Sequence, residues 1–208
     1  MQTINKSFVG KTFAHTWYLY PITAVIITLL WLWGFQAFHQ PSTHQKLNIF
    51  FATEVRNESF LKNILNQYDK EDLREITPSY SLPSGVGYTS KLQIAINNAD
   101  LLILDEKTMF DFNGHHDNFF VEMSSFIKET YLPGASTYYQ NDGKDYGVLL
   151  KEKDADHYLK QYMDFDETKN YYITISVASK NIGKVLDVNN EHYDNALTFM
   201  KYLLTENK

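Results

Sequence analysis

The sequence predicts an α/β protein in which a single N-terminal transmembrane helix precedes one mostly parallel sheet domain with helices on both faces. Three observations carry that expectation. The chain has 208 residues, yet no Lys, Arg, Asp or Glu falls between Lys11 and Lys46. All 25 acidic residues, and all basic ones except Lys6 and Lys11, follow that gap. Beyond it, apolar residues alternate between runs at helical spacing and short β-branched or aromatic runs, the pattern of a layered α/β domain.

The gap itself contains Trp17 to Phe38, 22 almost continuously apolar residues. At about 1.5 Å per residue they reach roughly 33 Å, against a hydrocarbon core of about 30 Å. Trp17, Tyr18 and Tyr20 mark one border and Trp31, Trp33, Phe35 and Phe38 the other, where amphipathic rings favour the headgroup region. Pro21 falls in the first turn, where its missing N–H matters least. His39-Gln-Pro-Ser-Thr-His-Gln45 offers no Ala-x-Ala cleavage site, so an uncleaved anchor is expected. Lys6 and Lys11 precede the helix and nothing basic follows it until Lys46, which places residues 1–16 in the cytoplasm and the domain outside. The expected organisation is therefore a tail (1–16), a single-pass helix in the cell membrane (17–38), a connector (39–45) and an extracytoplasmic domain (46–208), with the lipid bilayer as one partner.

Residues 46–208 carry 17 basic and 25 acidic residues, a formal charge of −8. A domain so acidic lacks the clustered Lys and Arg that grip nucleic acid. With no cysteine, disulfides, thiolate metal sites and cysteine nucleophiles are excluded. Lys46 to Thr53 reads as a buried strand. Phe60, Leu61, Ile64, Leu65 and Tyr68 keep helical spacing, and Arg74 to Tyr80 reads as an edge strand because Pro78 interrupts it. Thr89 or Ser90 is the expected cap of a helix to Asn98. Leu101-Leu-Ile-Leu104 is apolar without alternation, as in a central parallel strand. Phe119 to Glu129 reads as a helix. Thr137–Gln140 and Tyr146–Leu150 flank an Asp142-Gly143 turn and read as a hairpin. A short helix is expected near Asp154 to Met163, a strand over Tyr171 to Val177 and a closing helix from Asn190 to Thr205.

The succession of Tyr88-Thr-Ser-Lys-Leu92, Asp100-Leu-Leu-Ile-Leu-Asp105, Asp142-Gly-Lys-Asp-Tyr-Gly147, Tyr171-Tyr-Ile-Thr-Ile175 and Ala196 to Leu204 resembles extracellular solute-binding proteins of bacterial ABC importers. The resemblance covers most of residues 46–204 through short apolar motifs. It implies a type 2 periplasmic-binding-like fold, whose two lobes close on a sugar, peptide or other small solute. The length here leaves room for one lobe. The implied activity is non-enzymatic, of solute-binding type and accessory to a transporter or surface complex. The implied partners are transporter subunits or another membrane protein and a small solute, with no cofactor. The alternative expectation is a structural or interaction protein of the cell envelope, assembling through its helix and its acidic domain.

In open parallel sheets, ligands bind beyond the carboxyl ends of the strands. Those ends carry Thr53 and Glu54, Asp105 and Glu106, and Ser176 to Lys180; the helix starting near Tyr88 and Thr89 adds exposed N–H groups. The candidate ligand-binding residues are thus Thr53, Glu54, Tyr88, Thr89, Asp105 and Glu106, set against the plain alternative that such carboxylates are solvated loop groups. His115-His116-Asp117 is the only histidine cluster, but adjacent positions diverge and no His-rich partner completes four ligands, so no metal is expected. Gly-x-Ser-x-Gly, His-Glu-x-x-His and phosphate-loop patterns are missing, which argues against an enzyme. The pairs Tyr138-Tyr139 and Tyr171-Tyr172 each turn one ring to either side of a strand.

Overall fold

The computed structural model describes residues 17–39, 41–57, 59, 68, 73–135, 137–183 and 194–205. The chain divides into two units, one up to residue 40 and one from residue 41 onward. In the first, α1 (Leu19–His39) is a 21-residue helix with almost every described side chain exposed. Thr23 and Thr28 return their hydroxyls to the carbonyls of Leu19 and Ala24, each at 2.8 Å. Among the described residues no helix is long and apolar enough to cross a membrane. That overturns the expected transmembrane anchor over 17–38 and with it the single-pass localisation in the cell membrane, N-terminus inside and domain outside; the tail, residues 1–16, lies outside the described residues. The physical reason lies in what interrupts the aliphatic run: Pro21, Thr23, Thr28 and Gly34 add length with much less apolar surface than Leu or Ile.

The second unit is built on a six-stranded sheet of order β3-β1-β4-β8-β6-β5. Its strands are β1 (Lys46–Phe51), β3 (Glu75–Tyr80), β4 (Leu101–Asp105), β5 (Tyr138–Asn141), β6 (Lys144–Lys151) and β8 (Tyr171–Ile175). A separate two-stranded ribbon joins β2 (Glu54–Val55) and β7 (Met163–Asp164). The sheet is mixed rather than mostly parallel. β1 pairs parallel with β3 and with β4, whereas β8 runs antiparallel to both β4 and β6, and β5 antiparallel to β6. The direction of β8 follows from where the chain enters it. Glu106 N–H donates to Asn170 O at 3.0 Å, so β8 starts beside the end of β4, with Asp105 opposite Tyr171, and must run back along it. Leu101–Leu104 is central and fully buried as its composition requires, but only one of its neighbours is parallel.

Alternation along the strands sorts the core into two layers. On one face Leu47, Ile49, Phe51, Leu101, Ile103 and Ile173 meet the closing helix α6 (Asn195–Thr205) through Ala196, Leu197, Phe199, Met200 and Leu203. On the other, Phe50, Ala52, Leu102 and Leu104 meet α2 (Tyr88–Asn98) through Leu92, Ala95 and Ile96. Removing a fully buried branched side chain from either layer, such as Ile103→Ala, costs about 3 kcal/mol by transfer plus cavity. The expected helix over Phe60–Tyr68 lies outside the described residues except for Tyr68, whose ring meets Phe199 and Tyr202 edge-on at 5.4 Å each.

Three local expectations change. Neither Thr89 nor Ser90 caps α2: the N-cap is Gly87, at φ 78°, a left-handed conformation that glycine adopts without steric cost. The stretch Phe119–Glu129 is broken into α4 (His116–Phe119) and α5 (Ser125–Tyr131), because Phe120 bridges Ser176, Val121 N–H donates to Ile175 O and Met123 N–H donates to Asp145 O. Backbone groups spent on β8 and β6 cannot continue a helix. The helix expected near Asp154–Met163 is a single 3₁₀ turn, Tyr158–Gln161. The hairpin forms as its Asp-Gly turn requires, with Asp142 at φ 51° and Gly143 at φ 78°.

A candidate cleft at the carboxyl end of β4

β4 ends in an aspartate that the following helix needs. Asp105 is 1% exposed, and its side chain caps α3 (Glu106–Asp111) by accepting from Thr108 N–H at 2.9 Å. Its other oxygen meets the Lys169 ammonium at 3.0 Å, which also stands 3.6 Å from Asp166. Thr108 in turn shares a hydrogen bond of 3.1 Å with the Tyr88 hydroxyl, so Tyr88 connects to Asp105 through one residue. Burial, eased in part by the Thr108 bond, pushes the Tyr88 hydroxyl up to about 12, so it is a neutral donor at physiological pH. Glu106 stays exposed and accepts from Asn170 Nδ2 at 2.8 Å.

Beside this array opens a cleft of about 350 Å³ lined by Glu106, Lys107, Phe110, Tyr139, Thr168 and Lys169. Its walls are aromatic and its polar groups charged. Phe110 is 63% exposed. Tyr139 is held from behind, its ring stacked on His116 at 5.5 Å and edge-on to Tyr172 at 5.4 Å. Burial, then the nearby Glu106 charge, raise the Tyr139 hydroxyl above its ordinary value. His116 is buried: Nε2 lies 3.0 Å from Met109 O while Nδ1 has no partner, and burial holds the ring below the ordinary histidine range, hence neutral.

The predicted residues do not converge. Asp105, Glu106 and Tyr88 share the environment just described. Thr53 is buried and donates to Asp164 O at 2.6 Å, and Glu54 stands opposite Asp164 in the ribbon, where Arg56 pairs with the Asp164 carboxylate. Thr89 is exposed on the first turn of α2. His115, His116 and Asp117 do not act as a unit: Asp117 accepts from Lys144 and from the Tyr146 hydroxyl at 2.6 Å, and among the described residues no cluster of three or more His, Cys, Asp or Glu could hold a metal.

Of the cleft residues, the Tyr138-Tyr139 pair was legible as a strand presenting one ring to each side. Lys107, Phe110, Thr168 and Lys169 carried no signal, since Lys169 comes to Asp105 from 64 residues away. The lining contains no Ser, Cys or His, and the buried carboxylate next to it is already bound by a cap and a cation. Such a set can hold and orient a solute. No protein-family model, no curated protein and no solved structure matches this chain.

Proposed function

We propose that residues 41–205 are a non-enzymatic small-solute recognition domain, of solute-binding type, that works as an accessory of a transporter or another larger assembly. The observation that carries this reading is the cleft between α3, β5 and residues 168–169: two aromatic walls, Phe110 and Tyr139, with two ammonium groups, a carboxylate and a hydroxyl at its rim. Its volume lies within the range of about 300–1,000 Å³ common to small-molecule sites. Support also comes from its place beyond the carboxyl end of β4, where open α/β sheets gather ligands. The sheet adds support: β8 lies between β4 and β6 and antiparallel to both, so the chain re-enters the sheet at the carboxyl end of β4, beside the cleft. The test is a thermal-shift panel of sugars, amino acids and short peptides on the full-length chain. A saturable rise in Tm that Phe110→Ala and Tyr139→Ala each abolish is expected, by linkage. A rise that both variants retain, or none with any class, overturns the reading.

A second reading, an interaction protein, is favoured by one observation. Tyr80, Leu82, Val86 and Ile94 are all exposed within one stretch running from β3 into α2, and Tyr80 and Ile94 line an apolar groove of about 470 Å³ against Phe50. Apolar patches of this kind mark contact surfaces. Loss of co-purifying proteins on Val86→Asp together with Ile94→Asp is the outcome expected of that reading.

A further inference from the structure

β6 ends at Lys151 and β8 begins at Tyr171, and the excursion between them delivers Thr168 and Lys169 to the cleft. Among the residues that touch it are Lys151, which is buried, and His157, which is half-buried. Lys151 is 1% exposed and donates from Nζ to Glu152 O at 3.1 Å and to Lys169 O at 3.5 Å, with the Tyr171 ring 6.0 Å away. Among the described residues it has no ion pair. His157 caps the 3₁₀ turn, its Nδ1 accepting from Leu159 N–H at 3.2 Å, and its ring packs on Tyr158 at 4.8 Å and Phe165 at 6.3 Å. Phe165 lies edge-on to Tyr171 at 4.7 Å, which ties the turn back to β8.

Nδ1 accepts from Leu159 N–H, so the neutral ring carries its proton on Nε2, and a further hydrogen bond ties the ring to the Leu150 backbone. A second proton can go only to Nδ1. It would remove the acceptor that Leu159 N–H uses and set a positive ring beside the Lys151 ammonium. The charged group acting on His157 is Lys151, from β6. Glu167, Asp154, Asp166 and Lys160 act on Lys151.

We propose that His157 is an acid-sensitive latch on the turn Tyr158–Gln161: protonation of Nδ1 releases Leu159 N–H and loosens the turn, while Lys169 stays on Asp105 and Asn170 on Glu106. The latch stands on the geometry of the turn alone. Burial, and then the Lys151 charge, push His157 down to about 4, so the latch is closed at neutral pH. Because the fold favours the neutral ring, this stabilisation is complete above the ordinary value of about 6.5 and is lost as pH falls toward about 4.

The experiment is nuclear magnetic resonance on the full-length chain. It follows the His157 ring through its titration and amide protection, corrected for intrinsic exchange, near pH 7 and near pH 4. Leu159 and its neighbours up to Tyr162 should lose protection about tenfold or more in acid while β1 and β4 keep theirs, as local opening requires. His157→Asn supplies a neutral acceptor at the same cap and should keep protection in acid. Lys151→Met should raise the midpoint of His157. Protection at Leu159 that does not depend on pH, or an equal acid loss in His157→Asn, overturns the latch. Should His157→Asn not fold, the wild-type chain decides alone: the Leu159 amide must change with the same midpoint as the ring. Solute binding is read separately by thermal shift, so a chain that binds nothing can still show the latch.

Discussion

The two ends of β4 each bury an aspartate, and the two meet the cost of desolvation with different partners. Asp100, just before the strand, is 4% exposed and is met by neutral donors: Asn48 N–H at 2.8 Å, the Ser179 hydroxyl at 2.6 Å, Asn181 Nδ2 at 3.0 Å and the Lys180 backbone. Burial is the largest influence on it, and its carboxyl is raised above the ordinary range despite those bonds. Asp105, at the far end, has a helix cap and a lysine. Neutral donors suit an end that only has to be closed, where Asn181 Nδ2 also holds Lys46 O and so fastens β1 to the loop after β8. A lysine that is one-third exposed suits an end that opens on a cleft, because it keeps a charge at the rim.

The largest effect should come from breaking the neutral end. Asp100→Ala takes an acceptor from four donors, of which Asn181 Nδ2 keeps Lys46 O, and should cost about 4 kcal/mol in urea unfolding, at 1–3 kcal/mol for each unsatisfied group with partial relaxation. Lys169→Met removes the cation from Asp105 but leaves its cap. Since Lys169 is partly solvated, the cost should be about 1–2 kcal/mol. If Lys169→Met proves the more damaging of the two, the contrast between the ends is wrong.

The pH dependence sharpens the comparison because its signs differ. The folded chain holds the Asp100 proton to higher pH than the unfolded chain does, so stability owed to Asp100 is complete below the ordinary value of 3.8 and declines as pH rises through the raised folded value. His157 contributes in the opposite sense, losing stability as pH falls from about 6.5 to about 4. Between those limits, Asp100→Asn should steepen the rise of Tm with pH and His157→Asn should flatten it. The smallest structural effect belongs to the cleft. Phe110→Ala should change stability by less than about 0.5 kcal/mol, as an exposed side chain does, while weakening solute binding about tenfold or more.

Much of the strand pattern was legible in residue order. β1, β3, β4, the β5–β6 hairpin, β8 and α2 all form close to where their composition puts them. The mixed sheet was not legible, because a buried strand looks alike in sequence whichever way its neighbour runs. Nor were Lys107, Phe110, Thr168 and Lys169, which look like ordinary surface residues until the 165–170 segment is laid against α3. The reading of α1 as a membrane anchor went wrong for a related reason: length and lack of charge were visible, but a residue count weighs Pro, Thr and Gly alongside Leu and Ile, which carry more apolar surface.

By itself, the sequence determined an acidic, cysteine-free α/β domain, its central apolar strand and its Asp-Gly hairpin, since composition, periodicity and turn chemistry are local properties. Tertiary structure alone decided the direction of β8, the split of Phe119–Glu129 into two short helices and the pairing of Lys169 with Asp105. Each depends on contacts between residues far apart in the chain, which no local pattern encodes.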